Sequence, residues 1–215
     1  MLNEKEGIIV VLATKNRVEF LKKALSSISL QTKKPLNVFV VSDSSNENVV
    51  SEREICSHYG FYFLRDKYTH NYAGNLNTAL ESVFAKFAFD NQFNLNNLFI
   101  AFLDDDDIWH KDYLRECWNA RTDKTDIVVC GLNYQTDDKV FPLTIPHELK
   151  VESFLKGNPH IQGSNTFIRF SLLLKAGCFD ENMDSTTDRD LFTRLLMLKP
   201  NISIVDKYLV EIDAK

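Results

Sequence analysis

The stretch that most constrains this chain is NLFIAFLDDDDIW, Asn97 to Trp109, where an apolar run empties directly into four consecutive aspartates. Leu98 to Leu103 is short, carries Phe, Ile and Phe, and is apolar at both alternating positions, the pattern of a strand buried on both faces of a helix-covered sheet. Asp104 to Asp107 then fall at the carboxyl end of that strand, where open α/β sheets bind ligands in the crevice beyond the strands. Four adjacent carboxylates repel one another, and folded proteins offset such repulsion with a cation or a set of donors. A hard divalent ion is the natural occupant. A solvated acidic turn is the bland reading of such a run, and the Ile108 and Trp109 that follow weigh against it.

The rest of the chain supplies partners for that strand. Gly7 to Ala13 (GIIVVLA) is a second buried-type strand, ending in a polar corner at Thr14 to Arg17. Val18, Leu21, Leu25 and Ile28 recur on one face of a helix that must stop before Pro35. Leu36 to Val41 is the next strand, Ser42 to Asn46 a loop, and Glu47 to Tyr59 a helix that Gly60 closes before a short strand at Phe61 to Leu64. YTHNYAGNLN (Tyr68 to Asn77) reads as a polar loop entering a helix at Leu80 to Phe87, and DNQFNLNN as a turn-rich connector. Further on come a helix at Asp112 to Ala120, a strand at Asp126 to Cys130, a short helix at Val151 to Lys156 and a strand at Thr166 to Phe170. A short helix at Ser171 to Ala176 is closed by Gly177, and Asp188 to Leu198 and Ile202 to Val205 supply the last helix and strand. VFPLTIP, within the irregular stretch from Gly131 to Gly163, is either a hairpin arm or irregular cover. Strands alternating with helices predict an α/β fold with a mostly parallel, Rossmann-like central sheet flanked by helices, and a less regular second half.

Composition narrows the functional classes. At 215 residues and 44% hydrophobic content the chain can bury a full core as a single domain. The net charge of -5 and the scattered Lys and Arg leave no basic stripe for nucleic acid. Cys56, Cys117, Cys130 and Cys178 form no C-x-x-C pair and read as buried, reduced thiols. The polar MLNEKEG start lacks a signal-peptide plan and no apolar run reaches a membrane span, so the expectation is a soluble, cytoplasmic protein, with peripheral membrane association left open.

Taken in order, VVLATKNR, VVSDSSN, AGNLN, FLDDDDIW, GSNTFIR and AGCFDENMDSTTDRDLFTRL resemble the family 2 glycosyltransferases over nearly the whole chain. That resemblance implies the GT-A fold, with a nucleotide-binding half to about residue 110 and an acceptor half after it, a nucleotide-sugar donor, and inverting transfer to a saccharide or glycolipid acceptor. It implies Asp106 as the ligand of a divalent metal, Mn²⁺ or Mg²⁺, with Asp104 and Asp105 as supporting residues toward ribose hydroxyls or metal-bound water. Asp107 is expected to point outward and tolerate substitution. Asp43 matches the family's uracil-binding aspartate. A carboxylate only accepts, so it selects bases that present an N–H. Ser42 stands where a paired aspartate is usual. Thr14, Asn16 and Arg17 would line the same nucleotide pocket, and Gly74 and Asn77 match the loop that approaches the donor. Asp188 falls at the family's general base, with Thr187 where a glutamate is usual, and Arg194 four residues after Asp190 could restrain that carboxylate. Read without the resemblance, Thr187 to Asp190 is a helix N-cap with acid in the first turn. Trp109, His160, Gln162, Ser164 and Asn165 are assigned to the donor or acceptor pocket, with plain packing the other reading for Trp109 and backbone hydrogen bonding for His160. The resemblance also implies a segment beyond YLVEIDAK that closes over the nucleotide.

Two other functions fit the scaffold. A sugar-phosphate nucleotidyltransferase shares the topology, but ATKNR has no glycine for its phosphate loop. A non-catalytic nucleotide-sugar or carbohydrate binder would have no need of a base at Asp188.

Overall fold

The computed structural model describes residues 5–67, 71–136, 139–183 and 185–213. The first half runs β1 (Lys5–Thr14), α1 (Val18–Ser29), β2 (Asn37–Ser42), α2 (Asn46–Tyr59), β3 (Tyr62–Arg65), α3 (Tyr72–Phe87) and β4 (Phe93–Asp104). It continues through β5 (Ile108–Trp109), α4 (Tyr113–Asn119), β6 (Ile127–Gln135), β7 (Val140–Pro142) and α5 (Val151–Lys156). A 3-10 turn at Gly163–Asn165 then leads into β8 (Thr166–Arg169), α6 (Phe170–Ala176), α7 (Thr187–Met197) and β9 (Ile202–Asp213).

Among the described residues, the strands form one sheet in the order β3-β2-β1-β4-β8-β6-β9-β5, with β7 paired to β6. β3, β2, β1 and β4 are mutually parallel, and β6 and β9 are parallel to each other. β8 is antiparallel to both β4 and β6, so β6 and β9 run in the direction of the first four strands. The sheet is thus mostly parallel, as expected, with β8 reversed at its centre.

That centre is where the apolar run sits. Leu98, Ile100 and Phe102 face one core cluster, with α3, α6 and α7, and Phe99, Ala101 and Leu103 face the other, with α1 and α4. All six are 0 or 1% exposed. Phe99 stacks on Phe167 of the reversed strand at 4.9 Å between ring centroids. Gly60 and Gly177 close α2 and α6 in the left-handed region, at φ 72° and 82°, where a side chain would be strained. The four thiols are free, with Cys56, Cys117 and Cys130 buried.

Several elements differ from the expectation. α3 begins at Tyr72, inside the stretch read as loop, because Asn71 caps it by accepting the Gly74 N–H at 2.8 Å; Tyr68 to His70 lie outside the described residues. The connector DNQFNLNN contributes the start of β4, where Phe93 pairs with Lys5 across a register shift. β9 runs on to Asp213 rather than stopping at Val205, since β6 holds it along nine register positions despite its alternating charges. VFP is a hairpin arm on β6, and Ile108–Trp109 form a short strand against β9.

Removing Phe99, buried between two strands and aromatic on both sides, leaves a cavity the sheet cannot close. Phe99→Ala is expected to cost about 3–5 kcal/mol in urea denaturation followed by circular dichroism.

Candidate active site

The parallel register aligns three strand ends. Ala13 lies opposite Asp104, and Thr14 opposite Ser42. Because β8 is reversed, the turn that precedes it, Gly163–Asn165, arrives at the same edge: the Asp104 N–H donates to Ser164 Oγ at 3.0 Å. The first turn of α7 closes the far side, where Asp188 Oδ2 accepts the Gly163 N–H at 3.3 Å. Between these ends lies an open cavity of about 470 Å³ whose wall includes Thr14, Arg17, Asp43, Asp104, Asp106 and Asp188.

The four aspartates have four different environments. Asp104 accepts a hydrogen bond from Tyr72 Oη at 2.5 Å, and burial, then the negative charges of Asp107 and Asp188, hold it well above the usual carboxylate range. Asp105 is buried and takes Thr14 Oγ1 at 2.7 Å and Arg17 Nη1 at 3.1 Å; burial raises its pKa despite both donors. Asp106 is the most open, its side chain 34% exposed, and pairs with Arg17 at 2.6 Å. Burial opposes the charge on Arg17, but Asp105 and Asp106 outweigh it and raise its pKa. Asp107 departs from the expectation of an outward, dispensable residue. It is 4% exposed and accepts Gln162 Nε2 at 3.0 Å, and burial pushes it up to about 7 against the Ser164 and Gln162 hydrogen bonds. The chain turns after Asp104, with the Asp107 N–H donating to the Asp104 carbonyl, so the last aspartate folds back under the first. Asp188 is pushed up to about 6 by burial, moderated by the Gly163 N–H.

Of the other residues expected on the nucleotide side, Asp43 is on the cavity wall. Asp43, with 9% of its side chain exposed, pairs with Lys15 at 2.7 Å, and its N–H donates to the Thr14 carbonyl. Asn16 is exposed and lies off the wall. Its backbone is left-handed, at φ 57°, and its Oδ1 accepts from Ser45 N, Ser45 Oγ and Asn48 Nδ2, which caps α2 from another loop.

Other residues assigned from the sequence are put to structural use. Gly74 and Asn77 lie inside α3 and off the cavity wall; Asn77 fastens the loop after α6 through Phe179 O at 2.9 Å and Glu181 Oε1 at 2.8 Å. Trp109 is 2% exposed, stacks on Tyr113 and donates to Ser164 O at 2.7 Å, so it supports the turn rather than lining the cavity. Asn165 is fully buried and bonds the Cys130 and His160 carbonyls. His160 is exposed, in left-handed backbone, with Nδ1 at 3.2 Å from Thr144 O. Arg194 holds Asp190 at 2.5 Å, as the spacing suggests, but faces the end of α6 through Ala176 O. The N-cap reading of Thr187 fails: Thr186 occupies the cap at φ 60° without a side-chain bond.

Sequence reasoning missed Lys15, Asn71, Tyr72 and Asn75 on the cavity wall. Asn75 is 4% exposed and its Oδ1 has no hydrogen-bond partner among the described residues. A capping Asn at position 71 was the available signal that α3 starts early enough to carry them there.

Among the described residues no three His, Cys, Asp or Glu side chains form a preformed metal-binding group. Mg²⁺-type sites use one or two carboxylates plus substrate phosphates, so the partly exposed Asp106, near Asp104 and Asp107 that have only neutral donors among the described residues, fits a cation that arrives with a phosphate ligand.

A family model described as "Glycosyl transferase family 2" matches residues 9–177. The chain belongs to this family. The match ends before Asp188. Uncharacterised glycosyltransferases of Rickettsia felis and Rickettsia conorii are each 22% identical over 206 residues. The alignment covers 90% of this chain but 32% of theirs, so the chain spans about a third of the curated relatives it matches. Among solved structures, S. aureus TarS 1-349 in complex with UDP has a TM-score of 0.71 at 18% identity, covering 97% of this chain and 61% of that one. A mannosyltransferase from Pyrobaculum calidifontis, in complex with GDP-Man and Mn²⁺, has 0.69 at 16% identity, covering 96% and 56%. At these identities the likeness is one of fold, and the fold is GT-A.

Thr14→Val keeps the shape of the wall but strips a buried carboxylate of its shortest donor. It is expected to lower stability by about 1–3 kcal/mol at pH 7 in chemical denaturation, with the loss shrinking in acid as Asp105 takes up a proton.

Proposed function

We propose that this chain carries a metal-dependent, inverting glycosyltransferase that moves a sugar from a nucleoside diphosphate, UDP favoured, to a hydroxyl of a saccharide or glycolipid acceptor. The observation that carries the reading is Asp188: a carboxylate at the first turn of a helix, oriented by the Gly163 N–H, lining the same cavity as Asp104 to Asp106 and raised to about 6. A binding module has no use for such a group. A general base works best with a pKa near the operating pH.

In this mechanism Asp43 accepts the base's imide N–H, and Thr14 and Arg17 hold Asp105 and Asp106 in place. Asp106 would hold the divalent cation. When bound, the cation neutralises the negative charge that builds on the departing diphosphate. Asp188 takes the proton of the acceptor hydroxyl as its oxygen forms a bond to the anomeric carbon and the bond to the diphosphate oxygen breaks. A single displacement from the opposite face inverts the configuration. Tyr72 keeps Asp104 oriented toward the same space. The UDP complex of TarS and the GDP-Man complex of the Pyrobaculum enzyme support a diphosphate nucleotide as ligand. Polysaccharide or glycolipid assembly is the setting this chemistry suits.

With Asp188 as base, activity is present in its ionised form and lost on protonation. Donor turnover with Mn²⁺, measured as sugar release, is expected to fall about tenfold per pH unit below about pH 6 and to be flat above it. Asp188→Asn is expected to cut kcat by about 10²–10⁴ with nucleotide Kd little changed. Full activity in that variant sinks the assignment. Wild-type protein is expected to gain thermal stability with Mn²⁺ plus UDP, and Asp106→Asn to lose the metal-dependent part of the gain. No shift with UDP, dTDP or GDP would overturn the reading.

A further inference from the structure

The second strand of the nucleotide half ends without the carboxylate pair that its sequence neighbours lead one to expect, since Ser42 precedes Asp43. A carboxylate reaches that point by another route. Glu52, on the inward face of α2, is 0% exposed. Its two oxygens are shared out: Oε2 accepts Ser42 Oγ and Oε1 accepts Ser44 Oγ, each at 2.6 Å. Arg65, from β3, donates to Ser42 Oγ at 3.3 Å and to the Ser44 carbonyl at 3.0 Å.

Ser44 passes the restraint on. A hydroxyl has one proton, and with that proton on Glu52 its lone pairs are free to accept; they take the Asn16 N–H at 2.6 Å. Asn16 stands in left-handed backbone, which is uncommon outside glycine and persists where the surroundings over-determine it. Its side chain is tied to Ser45 and Asn48 at the start of α2. The loop after β1, carrying Lys15 and Arg17, and the loop after β2, carrying Asp43, are joined by several bonds, and the one from the Asn16 N–H to Ser44 Oγ is set by a buried carboxylate. Glu52 holds Ser42 and Ser44, the buried residues on either side of Asp43 in the chain, and Asp43 lines the cavity with Lys15.

We propose that Glu52 is a positioning residue for nucleotide recognition: through Ser42, Ser44 and Asn16 it fixes Asp43 and Lys15 in the spacing that receives the base. The role rests on the glycosyltransferase reading above. Replacing the carboxylate by an amide of equal size puts a donor opposite one of two hydroxyls that must donate. If the amide nitrogen faces Ser44, that hydroxyl loses the acceptor that fixes its proton, and its hold on the Asn16 N–H is loosened.

The test measures UDP binding by calorimetry with Mn²⁺ present, at a temperature where circular dichroism shows each variant folded. Glu52→Gln is expected to raise the UDP Kd about tenfold, the worth of one buried charge-assisted hydrogen bond. In nucleotide-free protein it is expected to speed hydrogen exchange at the Asn16 amide about tenfold, with the β1 amides unchanged. Thr125→Ala is the control, as Thr125 is buried at the opposite end of the sheet against Ser203; it is expected to lower Tm and leave Kd alone. If Glu52→Gln is recovered unfolded, Ser44→Ala carries the same expectation. A wild-type Kd in a folded Glu52 or Ser44 variant overturns the proposal while leaving the glycosyltransferase reading intact. Wild-type protein that binds none of UDP, dTDP and GDP overturns both.

Discussion

The constraint on which the rest depends is the register of three parallel strands. Ala13 opposite Asp104 and Thr14 opposite Ser42 bring the ends of β1, β4 and β2 to one line. Parallel strands place all their carboxyl ends on one edge, so residues from distant parts of the chain meet there without a dedicated scaffold. The reversal of β8 uses the same edge from the other direction. An antiparallel strand presents its start where its neighbours present their ends, and so Gly163 and Ser164 reach Asp104 and Asp188. A Cβ on Gly163 would come within 3.3 Å of Phe102 Cβ and 3.5 Å of Tyr72 Oη, a close approach that glycine permits.

Charge decides how the edge is furnished. Asp104, Asp105, Asp107 and Asp188 are all raised, in each case mainly by burial, while Arg17 serves only Asp105 and Asp106. Hydroxyl and amide donors from Thr14, Tyr72, Gln162 and Ser164 hold the other oxygens in place without cancelling their charge. Burying these carboxylates is costly, and the two large aromatic-rich cores on either face of β4 offset that cost. Beneath the nucleotide end, Glu52 shows the opposite solution: a fully buried carboxylate with both oxygens committed to serine hydroxyls.

Much of this was legible in order along the chain. The alternating apolar runs named β1, β2, β4 and β6, because a strand buried on both faces admits little else; Gly60 and Gly177 marked helix ends because left-handed backbone favours glycine. Asp188, Asp104 and Asp106 were singled out by position after those elements, and they share a cavity wall. What local pattern could not reach was anything set by a partner far away. β9 extends past Val205 because β6 runs alongside it, and α3 starts at Tyr72 because Asn71 caps it. Gly74 and Asn77 matched a motif, yet the earlier helix start turns Asn77 toward Phe179 and Glu181.

The aspartate run illustrates the division best. Sequence alone determined that a buried strand ends in four carboxylates at a ligand-binding edge, since that follows from hydrophobic periodicity and charge repulsion. Which carboxylate does what was decided by the tertiary structure. Asp107 looked expendable as the last of the run, but the turn after Asp104 folds it inward onto Gln162, a residue 55 positions away. Asp106, one step earlier, is left at the opening beside Arg17. Adjacent residues on a turn point in unrelated directions, and the partners that give each its chemistry come from distant parts of the chain.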